Sequence, residues 1–245
     1  MNPALEYDLW HQRGLEESPQ RLEETCPWYK LVLEYLPPLA GKRVLEVGCG
    51  RGRFLTELTA RGPVVYGVDL SAFAVHVAQE HLRKAGVSRA RAAVCQADAH
   101  YLPFAEASFD VVVSCETIEH LIEPETALRE MARVTKQGGM LLLTTPSYLN
   151  LMGLYRLYDW VRGHDPHSVS GQPLDRCWVF FRVRHLLHRA GWRIRSSDGT
   201  VHQVPLPKRN PIRLSFPETN SNVRRLLSPL ALHYLATAEN RKAAR

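Results

Sequence analysis

The sequence lacks any long apolar run. Across 245 residues, no uninterrupted apolar stretch approaches the ~20 residues that a membrane-spanning helix needs, and the N-terminal segment contains nothing of signal-peptide type. We therefore expect no membrane span. Cysteine is scarce as well, with five scattered residues and no C-x-x-C pair. This usage argues against a structural zinc site and favours the reducing cytoplasm as the location.

A dense run of basic residues is also missing. The formal net charge is +6, but the lysines and arginines are spread along the chain. This distribution argues against a nucleic-acid partner. With 45% apolar and 23% charged residues, the composition is that of an ordinary folded globular protein. We found no internal repeat and no linker-like segment, so we expect one domain.

The most informative stretch is a glycine-rich turn between Arg43 and Phe54 (RVLEVGCGRGRF). An apolar segment ends there in a carboxylate and three alternating glycines, and a helical pattern follows. This order predicts a strand, a tight turn and a helix whose first N–H groups point at a ligand. The dinucleotide-binding fingerprint needs Gly or Ala where this chain has Arg53, so a nicotinamide or flavin cofactor is disfavoured.

Four further motifs follow the glycine turn, and each contains or adjoins a predicted strand. They are 64–69 (VVYGVD), 96–104 (QADAHYLPF), 108–120 (SFDVVVSCETIEH) and 136–144 (KQGGMLLLT). In this order, the five motifs resemble the class I S-adenosylmethionine-dependent methyltransferases, in particular the small-molecule branch that includes quinone and natural-product methyltransferases. The resemblance extends from about Trp28 to the C-terminus, and the motifs are specific as a set.

Alternating strand and helix patterns predict a doubly wound α/β fold with a mostly parallel sheet and helices on both faces. The strands of the first half are predicted at 43–47, 64–68, 91–95, 110–114 and 139–145. Two more strands are predicted, one starting at Trp192 and one at 230–236. The resemblance implies that these two form the antiparallel edge of a seven-stranded sheet.

We expect a single methyltransferase domain over residues 1–245, composed of four parts. These are an N-terminal helical arm or cap (1–40), a cofactor-binding half (41–145), an insertion (146–180) and the C-terminal strands and helices (181–245). Within the insertion, an aromatic-rich helix at 149–161 and a loop at 163–178 predict a lid over the acceptor. The alternative is a helix that packs permanently on the core.

The resemblance implies S-adenosyl-L-methionine as the cofactor and assigns its contacts. Glu46 would hold the ammonium group, Asp69 the ribose hydroxyls and Asp98 the adenine, while Glu116 and Thr117 would lie near the sulfonium. The cofactor-binding residues predicted in this way are Glu46, Gly48, Cys49, Gly50, Gly52, Asp69, Leu70, Asp98, Ala99, Glu116 and Thr117.

His120 is the predicted general base. It follows the fourth strand closely, so it should lie at the C-terminal edge of the sheet, and histidine titrates near neutrality. Methyltransferases that this sequence resembles pair a histidine at this place with an acid just after the fifth strand. Here that place, 144–147, holds no carboxylate. The orienting partner would be Glu116, Glu119 or a backbone carbonyl; the alternative role for His120 is to cap the next helix.

Aromatic and histidine residues outside the motifs are candidates for binding the acceptor. These are Trp10, Tyr148, Tyr155, His164 and His167. The spacing of His164 and His167, and that of His185 and His188, is compatible with metal binding. Because no cysteine or further carboxylate completes either pair, we predict no metal site.

The predicted function is methyl transfer from S-adenosylmethionine to a small molecule, at oxygen. One alternative is methylation of RNA or protein, and another is a non-catalytic protein that binds the cofactor. The segment after the fourth strand, Ser114-Cys115-Glu116-Thr117, differs from the Asn/Asp-Pro-Pro-aromatic motif of exocyclic-amine nucleic-acid methyltransferases. The acceptor and the oligomeric state stay open at this point.

Overall fold

The structure is a computed structural model of the 245-residue chain. It describes residues 2–17, 26–150, 153–154, 161, 172–176, 178–206 and 209–241. Most of the predicted lid, 149–161 and 163–178, therefore lies outside the described residues. Among the described residues, no helix combines the length and apolar character that crossing a membrane requires.

A seven-stranded sheet forms the centre of the fold. Its strand order is β3-β2-β1-β4-β5-β9-β6, and a separate pair, β7 and β8, forms a small hairpin. The strands are β1 Arg43–Val47, β2 Val64–Asp69, β3 Ala92–Gln96, β4 Phe109–Cys115, β5 Thr135–Pro146, β6 Trp192–Thr200, β7 Gln203–Leu206, β8 Arg209–Arg213 and β9 His233–Asn240. This order and the parallel pairing of β1 to β5 confirm the predicted doubly wound, mostly parallel sheet.

The last two strands of the sheet, β6 and β9, form its antiparallel edge, with the antiparallel strand β9 one place inside the outermost strand β6. Strand β9 pairs antiparallel with β5 on one side and with β6 on the other. Strand β6 therefore forms the edge and runs in the same direction as β5. As a result, the end of β6 and the start of β9 lie at the same edge of the sheet as the glycine turn.

Helices cover both faces of the sheet. Those described are α1 Pro3–Glu17, α2 Pro27–Tyr35, α3 Arg53–Thr59, α4 Ala72–Lys84, α5 Pro124–Val134, α6 Phe180–Arg189, α7 Ser215–Thr219 and α8 Ser221–Leu226. The helices α2, α3 and α4 bury apolar residues such as Leu31 and Phe54 against one face. Leu128 of α5 and Leu187 of α6 are buried on the other face. Successive strand residues serve opposite faces, since Val44 joins the first group and Leu45 the second.

The regular alternation between α5 and β5 follows from local sequence signals. Pro124 occupies the first turn of α5, where a missing N–H costs nothing. The helix ends at Val134 and β5 begins directly at Thr135, four residues before the predicted start. The pair Gly138-Gly139 lies inside this strand and does not mark a helix end. A Cβ at Gly139 would come within 2.9 Å of the Asp110 carbonyl oxygen, so only glycine fits there.

The C-terminal part contains two features that the sequence patterns did not predict. A proline-punctuated segment forms the β7–β8 hairpin, although proline usually argues against strands. The last strand begins at His233, not at Leu230, because residues Ser228–Leu230 form a 3-10 helix with proline in its first turn. This shift brings His233 to the start of a strand, beside Pro146 of β5.

Candidate active site

The glycine turn after β1 adopts a conformation that favours glycine at each of its three alternating positions. Gly48, Gly50 and Gly52 all have positive φ, with values of 75°, 49° and 76°. The Gly48 N–H donates to the Val68 carbonyl at 2.8 Å, which fixes the turn to the end of β2. A Cβ at Gly48 would lie 2.3 Å from Thr117 Oγ1, so glycine there lets the segment after β4 approach closely.

The third glycine of the turn serves packing. Gly52 precedes α3, and a Cβ on it would lie 2.6 Å from the Cβ of Ala78 on α4. Cys49 is 3% exposed, and its Sγ would be 3.0 Å from a Cβ at Gly67. Gly52 and Cys49 therefore pack the turn against α4 and β2, on its buried side. Gly50 has the more open position, since the nearest atom to a Cβ placed there would be His11 Cε1, at 3.6 Å.

Asp69, at the end of β2, closes the turn. Its Oδ2 accepts the Gly50 N–H at 2.8 Å, and its Oδ1 accepts the Ser71 N–H at 2.9 Å. Burial raises the pKa of Asp69, while these backbone hydrogen bonds act in the opposite direction. Each carboxylate oxygen retains a second lone pair for a ligand hydroxyl. Asp69 thus positions the turn, and both of its oxygens can accept a further hydrogen bond from a ligand.

Glu46, on β1, is a buried acid without a hydrogen-bond partner among the described residues. The residue is 1% exposed, and neither of its carboxyl oxygens finds a partner there. Burial raises its pKa well above the usual range, and the nearby Asp69 adds to this. Unsatisfied buried acceptors are rare in folded proteins and call for a partner. An ammonium group bound at the turn would donate to these oxygens, so the buried acceptor fits S-adenosylmethionine here.

The adenine-binding candidates lie at the end of β3. Asp98 accepts the His100 backbone N–H at 2.9 Å, and its Oδ1 lies 2.5 Å from the ring nitrogen Nδ1 of the same histidine. Its side chain is 45% exposed, whereas Ala99 is buried. Leu70 is half-buried and follows Asp69 directly. The Ala97 N–H donates to the Asp69 carbonyl, which joins this segment to the ribose candidate.

Glu116 and Thr117 follow β4 and face the same turn. Glu116 has a φ of 50°, a strained value for a non-glycine residue, and such outliers cluster at functional sites. Its Oε2 lies 2.8 Å from Nδ1 of His233, while its Oε1 is buried with no partner among the described residues. The Thr117 hydroxyl lies within hydrogen-bond distance of the Val47 and Cys115 carbonyls.

The pairing between Glu116 and His233 was missed by sequence reasoning. His233 lies at the start of β9, and the Trp28 ring packs on its imidazole with centroids 4.6 Å apart. The predicted last strand began three residues too early, so nothing in the sequence placed this histidine at the sheet edge. The structure therefore brings a second histidine–carboxylate pair to the site.

His120 is held by a backbone carbonyl, as one of the predicted alternatives stated. Its Nδ1 lies 2.5 Å from the Leu174 carbonyl, which can only accept, so the Nδ1 carries the proton and the Nε2 lone pair is available. Glu119 Oε1 is 3.7 Å from Nε2. His120 ends the 3-10 helix Ile118–His120, so the helix-capping alternative is not what this geometry favours.

The protonation of this pair follows from its surroundings. Glu119 is 1% exposed, and burial together with the charge of Glu116 raises its pKa well above the usual range. Its Oε2 accepts the Thr145 hydroxyl at 2.9 Å. Burial lowers the pKa of His120, although the Leu174 carbonyl and nearby acids oppose this. A neutral imidazole with a free Nε2 at neutral pH is the form that a general base requires.

Helix α1 lies across the glycine turn. Asp8 Oδ1 accepts the Ser71 hydroxyl at 2.6 Å and the Phe73 N–H at 3.0 Å, which anchors α1 at the first turn of α4. His11 is 7% exposed and approaches Gly50, and its Nδ1 has no partner among the described residues. The candidate Trp10 packs edge-on against His11, with centroids 4.7 Å apart. Asp8 and His11 carried no recognisable sequence signal for these contacts.

The remaining acceptor candidates are only partly described. Tyr148 is half-buried, and its N–H donates to the Trp178 carbonyl at 2.8 Å. The other three, Tyr155, His164 and His167, lie outside the described residues. The described end of the predicted loop packs against the site, because the Arg176 N–H donates to the Glu119 carbonyl at 3.0 Å.

The chain is similar to methyltransferases in part of its length. Residues 45–143 match a family described as "Methyltransferase domain". The chain is 39% identical over 136 residues to a ubiquinone biosynthesis O-methyltransferase of Thiobacillus denitrificans, which covers 56% of this chain and 57% of that protein. A protein of the same name from Paracidovorax citrulli is 35% identical over 133 residues, covering 54% and 55%. The chain thus spans little more than half the length of the curated relatives it matches.

A solved structure agrees in fold. An S-adenosylmethionine-dependent methyltransferase from Mesorhizobium loti superposes with a TM-score of 0.63 at 18% identity, over 89% of this chain and 100% of that one. At this level of identity, the likeness establishes the Rossmann-like fold alone. The site residues of this chain therefore rest on the geometry described above.

Proposed function

We propose that this chain, which carries a class I S-adenosylmethionine-dependent methyltransferase domain, transfers a methyl group to an oxygen atom of a small molecule. The observation that carries the proposal is the glycine turn with Asp69 bound to the Gly50 N–H and the unpartnered Glu46 beneath it, among the residues that the structure describes. The names of the curated relatives support oxygen as the acceptor atom. The described cysteines Cys26, Cys49, Cys95 and Cys115 are not in disulfide bonds, which supports a cytoplasmic location.

The cofactor would be held along the edge formed by β1, β2 and β4. When bound, S-adenosylmethionine supplies an electrophilic methyl group on its sulfonium. Asp69 would accept from the ribose hydroxyls, Asp98 from the adenine amino group and Glu46 from the ammonium group. Thr117, which packs on Gly48 of the turn, and Glu116, which pairs with His233, would border the methyl group.

The chain's own contribution to the reaction would be alignment and proton removal. Helix α1 covers the turn, and the 172–176 segment packs beside His120, which keeps water away from the site. Alignment of this kind can supply ~7–11 kcal/mol of a reaction barrier. We assign the acceptor's hydroxyl proton to Nε2 of His120, because the Leu174 carbonyl fixes the tautomer that leaves this nitrogen free.

Transfer of a labelled methyl group tests the proposal. The purified protein is incubated with methyl-labelled S-adenosylmethionine and, separately, a metabolite extract, total RNA and a protein extract. We expect label in the small-molecule fraction and, at a subsaturating cofactor concentration, much less label in a parallel reaction with Asp69→Ala. Label in RNA or protein would replace the small-molecule proposal with macromolecule methylation. Cofactor binding without transfer in any fraction would identify a non-catalytic binding protein.

A further inference from the structure

A cavity of about 250 Å³ lies away from the glycine turn, between α2, the segment after β6 and the end of β8. Its apolar walls include Leu31, Val201 and Leu214. The cavity is therefore large enough for a small organic molecule. Nothing in the proposed methyl transfer uses it.

The cavity has a marked excess of positive charge. Three cationic side chains line it, Lys30, Arg213 and Arg224, against a single carboxylate, that of Glu34. Lys30 and Arg213 are exposed at the rim, and neither side chain forms an ion pair with any of the residues that the structure describes. Two cations on one cavity rim without counter-ions favour an anionic occupant.

The floor of the cavity is rigid. Arg224 is 8% exposed and donates to both oxygens of the fully buried Asp198, at 3.2 and 3.1 Å. It also pairs with Glu34 on α2 at 2.5 Å. Burial lowers the pKa of Arg224, but the bonds to these two carboxylates raise it overall. The charge of the Arg224 guanidinium is thus largely neutralised by Asp198 and Glu34. Lys30 and Arg213 are therefore the two cations that can bind a ligand.

One wall of the cavity has a strained backbone. Val201 has a φ of 62°, which is a genuine outlier for a β-branched residue. Its carbonyl accepts the Leu232 N–H at 3.0 Å, so the surrounding structure maintains the conformation. Strain of this kind clusters at ligand sites, where it directs the chain around a cavity.

We propose that this cavity is a binding site for a small organic acid, with its carboxylate or phosphate between Lys30 and Arg213 and its apolar body against Leu31 and Val201. Thr200, at the cavity, pairs with His233, and β6 is three strand positions from β4. With about 4.8 Å per strand, the end of β6 lies roughly 14 Å from the end of β4 and one strand from His233. The cavity is distinct from the glycine turn, and its occupation by an anion does not rest on the proposed methyl transfer.

Calorimetric titration of the full-length chain tests the site. The probes are inorganic phosphate, benzoate and the neutral benzyl alcohol. We expect an anion to bind and benzyl alcohol to bind at least about tenfold more weakly than benzoate. The double variant Lys30→Ala/Arg213→Ala should weaken anion binding about tenfold or more, as expected for losing charge-assisted bonds. The matched control is Lys84→Ala/Arg89→Ala. It removes two exposed cations near β3, which is the outermost strand on the side of the sheet away from β6.

Each outcome of the titration has a distinct meaning. Binding of phosphate alone would assign the site to phosphate esters, and binding of benzoate alone to carboxylates. The inference fails if neither anion binds the wild type, if benzyl alcohol binds as tightly as benzoate, or if the control double variant loses as much affinity as the test variant. S-adenosylmethionine affinity, measured on the same samples, should be equal in all variants and reports separately on the folded state and on the proposed function.

Discussion

Asp69 combines two tasks in one carboxylate. It accepts N–H groups from Gly50 and Ser71, and it presents the lone pairs left over to the proposed ribose site. A single side chain thus links the end of β2 to the turn after β1. Its replacement should affect the cofactor more than the fold, since the turn is also held by the Gly48 N–H bond to Val68.

The first prediction concerns this carboxylate. Asp69→Ala should weaken S-adenosylmethionine binding by roughly 1.5–3 kcal/mol for each charged hydrogen bond lost, or about tenfold or more. Calorimetry on the purified variant measures this. Asp110→Ala is the matched control. Asp110 accepts hydrogen bonds from the Arg43 N–H and from Lys136 at the end of the sheet where β1 and β4 begin, away from the glycine turn. Wild-type affinity in Asp69→Ala would refute the assignment.

The second prediction concerns the two histidines of the site. If His120 is the base, His120→Ala should lower turnover about a hundredfold or more and leave cofactor affinity nearly unchanged. The variant should regain rate as the pH approaches the pKa of the acceptor. Burial lowers the pKa of His120, so wild-type turnover should persist to a pH below the ordinary histidine value and then fall as the imidazole becomes protonated.

His233→Ala is the informative comparison for that experiment. Because His233 pairs with Glu116, it has the close carboxylate partner that His120 lacks among the described residues. Loss of turnover in His233→Ala, with near-normal turnover in His120→Ala, would move the base to the His233–Glu116 pair. Near-normal turnover in both variants would mean that alignment alone carries the reaction or that another residue takes the proton.

At the scale of elements, α1 is a helix whose attachment depends strongly on polar groups. Leu5 and Leu9 of this helix are exposed, and the contacts to the turn come from Asp8 and His11. A helix held in part by a buried histidine should respond to acid.

The third prediction is that acid loosens α1. Burial, with help from Arg51, lowers the pKa of His11 to about 4, against 6.5 as its ordinary value. The unfolded helix therefore binds more protons between these values, and stability is lost as the pH falls from about 6.5 to about 4. The shift corresponds to roughly 3 kcal/mol. Hydrogen exchange of α1 amides, corrected for intrinsic rates, should show this loss in the wild type.

His11→Phe supplies the control for the acid response. Glu46 and Glu119 have raised pKa values, and such acids favour the folded state as the pH falls, so only the difference between wild type and variant isolates His11. We expect the protection of α1 in His11→Phe to depend less on pH. Parallel pH curves for the two proteins would contradict the prediction.

At the scale of the whole molecule, one buried arginine joins distant parts of the chain through two ion pairs. Arg224 on α8 binds Asp198 on β6 and Glu34 on α2, and the Tyr35 hydroxyl also donates to Asp198 at 2.7 Å. These residues are separated by up to 190 positions in the sequence. These contacts of Arg224 and Asp198 therefore connect helix α2 to the C-terminal half of the sheet.

The fourth prediction follows from the burial of Asp198, which is 0% exposed. Arg224→Ala would leave this carboxylate uncompensated and should lower the free energy of unfolding by about 3–5 kcal/mol. Chemical denaturation measures the change. The double variant Asp198→Asn/Arg224→Met should be less destabilised than Arg224→Ala. The neighbouring Arg225→Ala, at an exposed position, should change stability little, and an equally small effect in Arg224→Ala would disprove the prediction.

Local sequence signals were sufficient to predict the alternation of strands and helices and the position of the glycine turn. These features depend on local physics: apolar periodicity, the freedom of glycine at positive φ and the proline at the start of α5. The predicted strand cores at 43–47, 64–68 and 110–114 therefore agree with the structure to within a residue or two at either end. The carboxyl ends of parallel strands share one edge, so Asp69 and Glu116 were expected near the turn.

Which side chains meet across that edge depended instead on tertiary packing. The insertion of β9 between β5 and β6 brings His233 to Glu116, and the path of α1 brings His11 to Gly50. Both contacts join residues far apart in the chain and leave no periodic trace in the sequence. The tautomer of His120 depends in the same way on the Leu174 carbonyl, 54 residues away. Long-range contacts are fixed by the packing of whole elements, which local patterns do not encode.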